Sequence, residues 1–175
     1  MKKFSLTALL LAVCFFSACS SAPDGGDLLE YQRVPMTVEA TLSNEQGTAV
    51  LTLHITDSEN LSVCYSEPAV MRGVSYELRQ NKPYLCFGST QVPMADAEVC
   101  MGSLALARFF LLDYSMLTDS SPDVEQGQNV TRQTFTGDQL HAVVILSQEG
   151  LPIKITGECG GFAAELTNIK ISYGE

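Results

Sequence analysis

From Met36 onward apolar and polar residues alternate. Met36, Val38, Ala40 and Leu42 interleave with Thr37, Glu39 and Thr41, and Leu51, Leu53 and Ile55 resume the pattern after Asn44-Glu45-Gln46-Gly47. A period of two puts every second side chain on one face, so each run predicts a half-buried strand and the turn residues between them predict a hairpin. Further strands are expected over 61–66, 73–80 and 84–89, with Glu67-Pro68 interrupting the pairing and Asn81-Lys82 forming a tight turn.

The period changes after Pro93. Between Asp96 and Leu117 the apolar residues Val99, Leu104, Leu106, Phe109, Phe110, Leu111, Leu112, Met116 and Leu117 crowd a proline-free stretch rich in Ala and Leu, and Arg108 is the only charge from Val99 to Leu112. Such a run predicts a long helix buried on most of its sides. Ser120 to Gln128, with Pro122, Gly127 and several acids, reads as a loop. Strands are then expected over 129–135, 140–147, 151–156 and 162–172. The order is five strands, one helix, four strands. It predicts an α+β, mostly β domain in which a curved antiparallel sheet of about nine strands, a half-barrel, wraps around one long apolar central helix.

The N-terminus follows another rule. Met1-Lys2-Lys3 precedes an almost unbroken apolar run over 4–16, which ends in Ser17-Ala18-Cys19-Ser20-Ser21. A run of 13 residues fits the roughly 7–15 of a signal-peptide core and falls short of the roughly 20 that cross a bilayer as a helix. The small residues before Cys19 resemble the lipobox of bacterial lipoproteins, with Phe16 where that motif usually has Leu. Residues 1–18 are accordingly expected to be a lipoprotein signal peptide, with Cys19 alkylated by diacylglycerol and then freed as the new terminus. The competing reading is an ordinary signal peptide cut near Ala18 or Ala22. Residues 19–29, rich in Ser, Gly and Asp, read as a lipidated flexible tether, and 30–175 as a single domain. The expected location is the extracytoplasmic face of a bacterial cell membrane, held there by the acyl chains.

Charge narrows the partners. The chain carries −10 at neutral pH, or −12 once Lys2 and Lys3 are removed, and has no Lys/Arg cluster after residue 18. Attraction to nucleic acid or to anionic headgroups is therefore disfavoured, and membrane contact is left to the lipid.

Tyr65-Ser66-Glu67-Pro68, Gly73-Val74-Ser75-Tyr76, the apolar helix and the run from Thr136-Gly137-Asp138 to Gly150-Leu151-Pro152-Ile153 together resemble the LolA/LolB-like superfamily of outer-membrane lipoprotein carriers and receptors, in particular its small bacterial lipoproteins. The resemblance spans about 31–173. It implies that a hydrophobic ligand, such as an acyl chain, is shielded between sheet and helix. Leu104, Phe109, Phe110, Tyr65 and Tyr76 are the residues placed against such a ligand; core packing is the blander explanation and is favoured for most of them individually. The alternative function is an envelope interaction or sensor module with a filled core and a protein partner.

Little else carries chemistry. Besides Cys19, the chain after the signal peptide has Cys64, Cys86, Cys100 and Cys159. Cys64 and Cys86 fall in one sheet section and form a reasonable disulfide pair, while four buried free thiols are the equal alternative. No C-x-x-C occurs, and His54 and His141 stand singly in expected strands, so no metal or cofactor is expected. Neither Gly88-Ser89 nor Gly102-Ser103 has the frame of a nucleophile elbow, and no phosphate-cradling glycine loop is present. An enzyme is not expected.

Overall fold

The computed structural model describes residues 27–94 and 97–174. The expected signal peptide, residues 1–18, and Cys19 lie outside them. A 3-10 helix, Asp27–Gln32, leads into strands β1 (Met36–Asn44), β2 (Gly47–Ile55), β3 (Leu61–Glu67), β4 (Val74–Arg79), β5 (Lys82–Phe87) and β6 (Thr90–Pro93). Helix α1 (Ala97–Arg108) follows, and then β7 (Leu117–Glu125), β8 (Gln128–Gly137), β9 (Leu140–Leu146), β10 (Pro152–Cys159) and β11 (Phe162–Tyr173). All eleven strands form one antiparallel sheet in the order β6-β5-β4-β3-β2-β1-β11-β10-β9-β8-β7. Two meanders are thus joined along β1 and β11, and α1 carries the chain from one free edge to the other.

The expected half-barrel of about nine strands around a long central helix is corrected in two respects. The sheet is wide and open, with eleven strands, and the two not anticipated are its edges, β6 and β7. Edge strands need no buried face, so their sequences lack the apolar alternation: all four residues of β6 are exposed, and β7 contains Pro122 and three acids. Proline is tolerated there because its missing N–H faces no partner, and charge on an edge discourages pairing with other chains.

The second correction is the helix, which has twelve residues rather than filling 96–117. Three i→i−3 bonds, from Phe109 N–H to Leu106, Phe110 N–H to Ala107 and Leu111 N–H to Arg108, tighten its end. Asp113 then caps a separate 3-10 turn at Tyr114–Met116, accepting from the Ser115 N–H at 2.7 Å, and β7 starts at Leu117. Phe109, Phe110 and Leu112 remain buried although they are no longer helical, because leaving the helix lets all three reach the core.

One face of the sheet is the core. Val38, Leu51, Leu53, Val63, Phe135, Val144, Ile155 and Leu166 are fully buried on it, and Leu104 to Ala107 of α1 pack there, with Arg108 exposed. Contacts from α1 reach β3, β4 and β5 in one meander and β10 and β11 in the other. With β1 and β2 lying between those groups, the sheet bends toward the helix.

Glycine sets how closely the parts approach. Gly157 faces inward between Ala142 and Ala164 of the neighbouring strands. A Cβ on Gly157 would stand 2.4 Å from the His141 carbonyl oxygen and 2.9 Å from Phe109 Cε1. On α1, a Cβ at Gly102 would meet the Phe162 ring at 3.0 Å. Two polar side chains share the interior. Gln133, fully buried on β8, has no partner for either amide atom among the described residues, a cost of about 1–3 kcal/mol. Tyr31 is 1% exposed, and burial pushes its phenol up to about 12 despite a hydrogen bond from Gln32 at 3.2 Å.

The packing makes two expectations measurable. Gly157→Ala forces backbone or Phe109 to move and is expected to cost about 1–3 kcal/mol, read as a lower urea midpoint with unchanged slope. Because an unfolded tyrosine ionises near 10.0 and Tyr31 only near 12, its contribution is whole below about pH 10 and is lost as pH rises to about 12. Tyr31→Phe should flatten that alkaline limb in urea titrations between those pH values; an unchanged limb would place the ionisation elsewhere.

Candidate functional site

The inner face is too wide for one short helix to cover, and cavities flank α1. One partly enclosed cavity, about 340 Å³, opens beside the C-terminal half of the helix. Its apolar walls include Leu61 and Leu78 from the first meander, Leu104 and Leu111 from the helix region, and Leu140 and Cys159 from the second. The first meander presents the start of β3 and the end of β4, whereas the second presents the β8–β9 and β10–β11 turns. The cavity therefore bridges the two halves of the bent sheet. Its polar groups, Ser58, Asn81, Arg108, Asp138 and Gln139, come from the turns and the helix end. An apolar interior with a few polar groups is the usual form of a small-molecule site, and the volume is at the low end of roughly 300–1,000 Å³.

A second cavity, about 470 Å³, lies on the opposite flank of α1, between the β1–β2 turn, Tyr65, Tyr76, Gly102 and Phe162. It is more open and has polar residues of the hairpin turn, Asn44, Gln46 and Thr48, along one side. A shallower depression, about 520 Å³, surrounds Thr136, His141 and Glu158 on the outer face. These three occupy neighbouring positions on β8, β9 and β10, but only Thr136 Oγ1 and His141 Nδ1 approach, at 3.3 Å. Size alone favours the outer depression; enclosure and apolar walls favour the 340 Å³ cavity, and those properties retain a hydrophobic molecule.

The five residues expected against a ligand are divided. Leu104 lines the enclosed cavity. Tyr65 and Tyr76 line the open one, their rings edge to face at 6.2 Å, with the Tyr65 hydroxyl 2.8 Å from Ser103 Oγ. Phe109 and Phe110 are fully buried and belong to the core cluster. Sequence reasoning did not find Leu61, Leu78, Leu140 or Asp138. Each lies at or beside a strand end far from the others in the chain, and only the bend of the sheet brings them to one cavity.

Cys64 and Cys86 are free thiols. Both are in register with Ser75, one on either side, so a whole strand separates them. At about 4.8 Å per strand the Cα atoms stand about 9.6 Å apart, beyond the roughly 7 Å limit for a disulfide. The expected pair is corrected on that ground. Cys159 is also free, and Cys100 is a position whose side chain is not described. Cys86 belongs to a polar cluster on the outer face. Arg79 Nε donates to Glu77 at 2.8 Å, and its guanidinium lies 5.6 Å over the Tyr84 ring. Burial, and then the neighbouring Glu77 carboxylate, push the Cys86 thiol up, which keeps it protonated and unreactive at neutral pH. Burial pushes Glu77 up as well, but hydrogen bonds from Cys86, Arg79 and Ser75, with the Arg79 charge, outweigh it and hold the carboxyl below its ordinary value. No group of three or more metal-ligating residues occurs among the described residues.

No family model and no curated protein matches the sequence. Solved structures do. An uncharacterized conserved protein from Thermus thermophilus is similar at a TM-score of 0.45 and 11% identity, over 86% of this chain and 87% of its own. A LolA superfamily protein from Nitrosomonas europaea is similar at a TM-score of 0.41 and 14% identity, over 88% of this chain and 95% of its own. At these scores no ligand or activity passes from it to this chain.

The thiols are open to direct measurement. In the folded protein a maleimide should label half-buried Cys64 at least about tenfold faster than Cys86 or Cys159, which are 5% and 2% exposed. After denaturation without reductant all three should label, and protection of Cys64 and Cys86 under those conditions would restore a bridge between them.

Proposed function

We propose that this protein is a non-catalytic bacterial envelope lipoprotein that holds one acyl chain, or a hydrophobic molecule of similar size, in the cavity between α1 and the two halves of the sheet. The carrying observation is the enclosed cavity of about 340 Å³, walled by leucines from both meanders and from the helix. Leu61, Leu104 and Leu140 are nearly buried, so the cavity is an interruption of the core rather than a crease in the surface. A hydrocarbon chain filling it would gain about 0.8 kcal/mol per methylene removed from water. The volume suits one chain rather than the several of a complete lipoprotein anchor.

The same reading makes Cys19 the attachment point. No helix among the described residues is long and apolar enough to cross a membrane. The lipobox-like Ser17-Ala18-Cys19 supplies the alternative means of holding the protein there. Hydrocarbon walls, with the polar groups supplied by turns and the helix end, suit retention of a ligand rather than bond-making.

A second reading has one observation in its favour. Val92 is 50% exposed on edge strand β6 and pairs with Leu85, and Phe87, 64% exposed, lies two residues along β5 on the same face. Exposed apolar side chains beside a free edge suit a protein partner.

Native mass spectrometry of the full chain extracted in mild detergent should show an adduct with the mass of a single-chain amphiphile. Leu104→Gln should lower its occupancy at least about tenfold, which is the transfer free energy of roughly two methylenes. Protein that is empty from cells and takes up no added fatty acid would overturn the binding role. Cys19→Ala should move the protein from the membrane fraction to the soluble one, and soluble wild-type protein would overturn the anchor.

A further inference from the structure

Two opposite charges face the mouth of the enclosed cavity without closing on one another. Arg108 projects from the last turn of α1, and Asp138 sits in the turn between β8 and β9. Both residues are exposed, and neither forms an ion pair among the described residues. Arg33, Arg79, Arg132 and Lys154 each pair with a carboxylate, whereas Arg72, Lys82 and Lys170, like Arg108, form no ion pair among the described residues; of these four bases Arg108 is the one that lines the 340 Å³ cavity. The helix C-terminus favours a cation at Arg108 and the two-residue hairpin turn favours Asp at 138 whatever binds nearby; what neither local preference supplies is that both line one cavity.

We propose that the cavity selects a zwitterionic single-chain amphiphile, with Arg108 donating to the anionic phosphate or carboxylate of the head and Asp138 accepting from its ammonium group. This rests on the hydrophobic-ligand reading and deepens it. The apolar tail goes to Leu104, Leu78 and Leu140, and the head stays at the rim, where Asn81 and Gln139 offer further hydrogen bonds. A guanidinium presents several N–H donors in a planar fork suited to phosphate or carboxylate, while a carboxylate accepts only, so each end of a zwitterion has one complementary side chain. A purely anionic head would satisfy Arg108 but meet the Asp138 carboxylate, and a purely cationic one the reverse. The chain's excess of negative charge makes an anion alone still less favoured.

The test uses the full chain with Cys19→Ala in every variant, so that no acyl group of its own competes. Calorimetric titration compares lysophosphatidylethanolamine, lysophosphatidylglycerol and an alkyltrimethylammonium of equal chain length, all below their micellar concentrations. The zwitterion should bind at least about tenfold tighter than either singly charged amphiphile, the size of one charge-assisted hydrogen bond. Arg108→Gln should weaken both phosphate heads and spare the cation. Asp138→Asn should weaken the zwitterion and strengthen the anion, which removes the preference; Asn is at home in a hairpin turn, so the fold should survive. Equal affinity for all three heads, unmoved by either substitution, would overturn the head selection and leave the hydrophobic site standing. An anion bound tighter than the zwitterion would likewise overturn it. If no amphiphile binds at all while Leu104→Gln unfolds at the wild-type temperature, the hydrophobic site itself falls.

Discussion

The fold depends on covering both meanders with one short piece of chain. Eleven strands at about 4.8 Å spacing would put the edges of a flat sheet about 48 Å apart, whereas a twelve-residue helix is about 18 Å long. Flat, the sheet would leave most of its apolar face in water. Bending toward α1 brings Leu104 to Ala107, Phe109 and Phe110 within reach of both halves, and the small residues Gly157, Ala142 and Ala164 leave room for the Phe109 ring. An aromatic core residue is worth about 3–5 kcal/mol when truncated to alanine, so the Phe109 seat is a large share of a domain's net stability of about 5–15 kcal/mol.

This arrangement also accounts for the cavities. A helix seated against the middle of a bent sheet fills the centre and leaves space along its flanks. On one flank the gap is lined by aromatic rings and a hairpin turn, and on the other by leucines that converge from distant parts of the chain. The i→i−3 bonds from Phe109 to Leu111 end the helix beside the leucine-lined gap, whose wall Arg108 and Leu111 supply at and just past that end. The cavity is thus a product of where α1 ends.

The interior strands were legible because their chemistry is periodic. Met36, Val38, Ala40 and Leu42 point into the core as the alternation requires, and Leu51, Leu53 and Ile55 do the same on the paired strand. Local signals failed where tertiary context decided. Leu111 to Leu117 look helical by composition, yet Asp113 recaps the chain and Leu117 pairs with Phe135 as the first residue of an edge strand. Pro122 and its acidic neighbours read as loop because an edge strand and a loop meet the same solvent. The candidate site was less legible still. Leu104 was identifiable from an apolar helix alone, but Leu61, Leu78 and Leu140 acquire a common cavity only through the joining of the meanders at β1 and β11. The Cys64–Cys86 pairing failed for a related reason: residues in one sheet section can still have a strand between them, and sequence separation does not report strand order.

Electrostatics ties the site to the rest of the molecule. With twice as many acids as bases, most basic side chains of the sheet are drawn into pairs, Arg132 with Asp123 and Lys154 with Glu165, each at 2.8 Å. Exposed pairs of this kind contribute only about 0–1 kcal/mol each, so their main effect is to remove isolated positive charge from the surface. Arg72, Lys82, Arg108 and Lys170 have no such partner among the described residues, and of these Arg108 is the one at the apolar opening, where its field is less cancelled by immediate neighbours than that of Arg132 or Lys154. A body of this net charge is repelled by anionic surfaces.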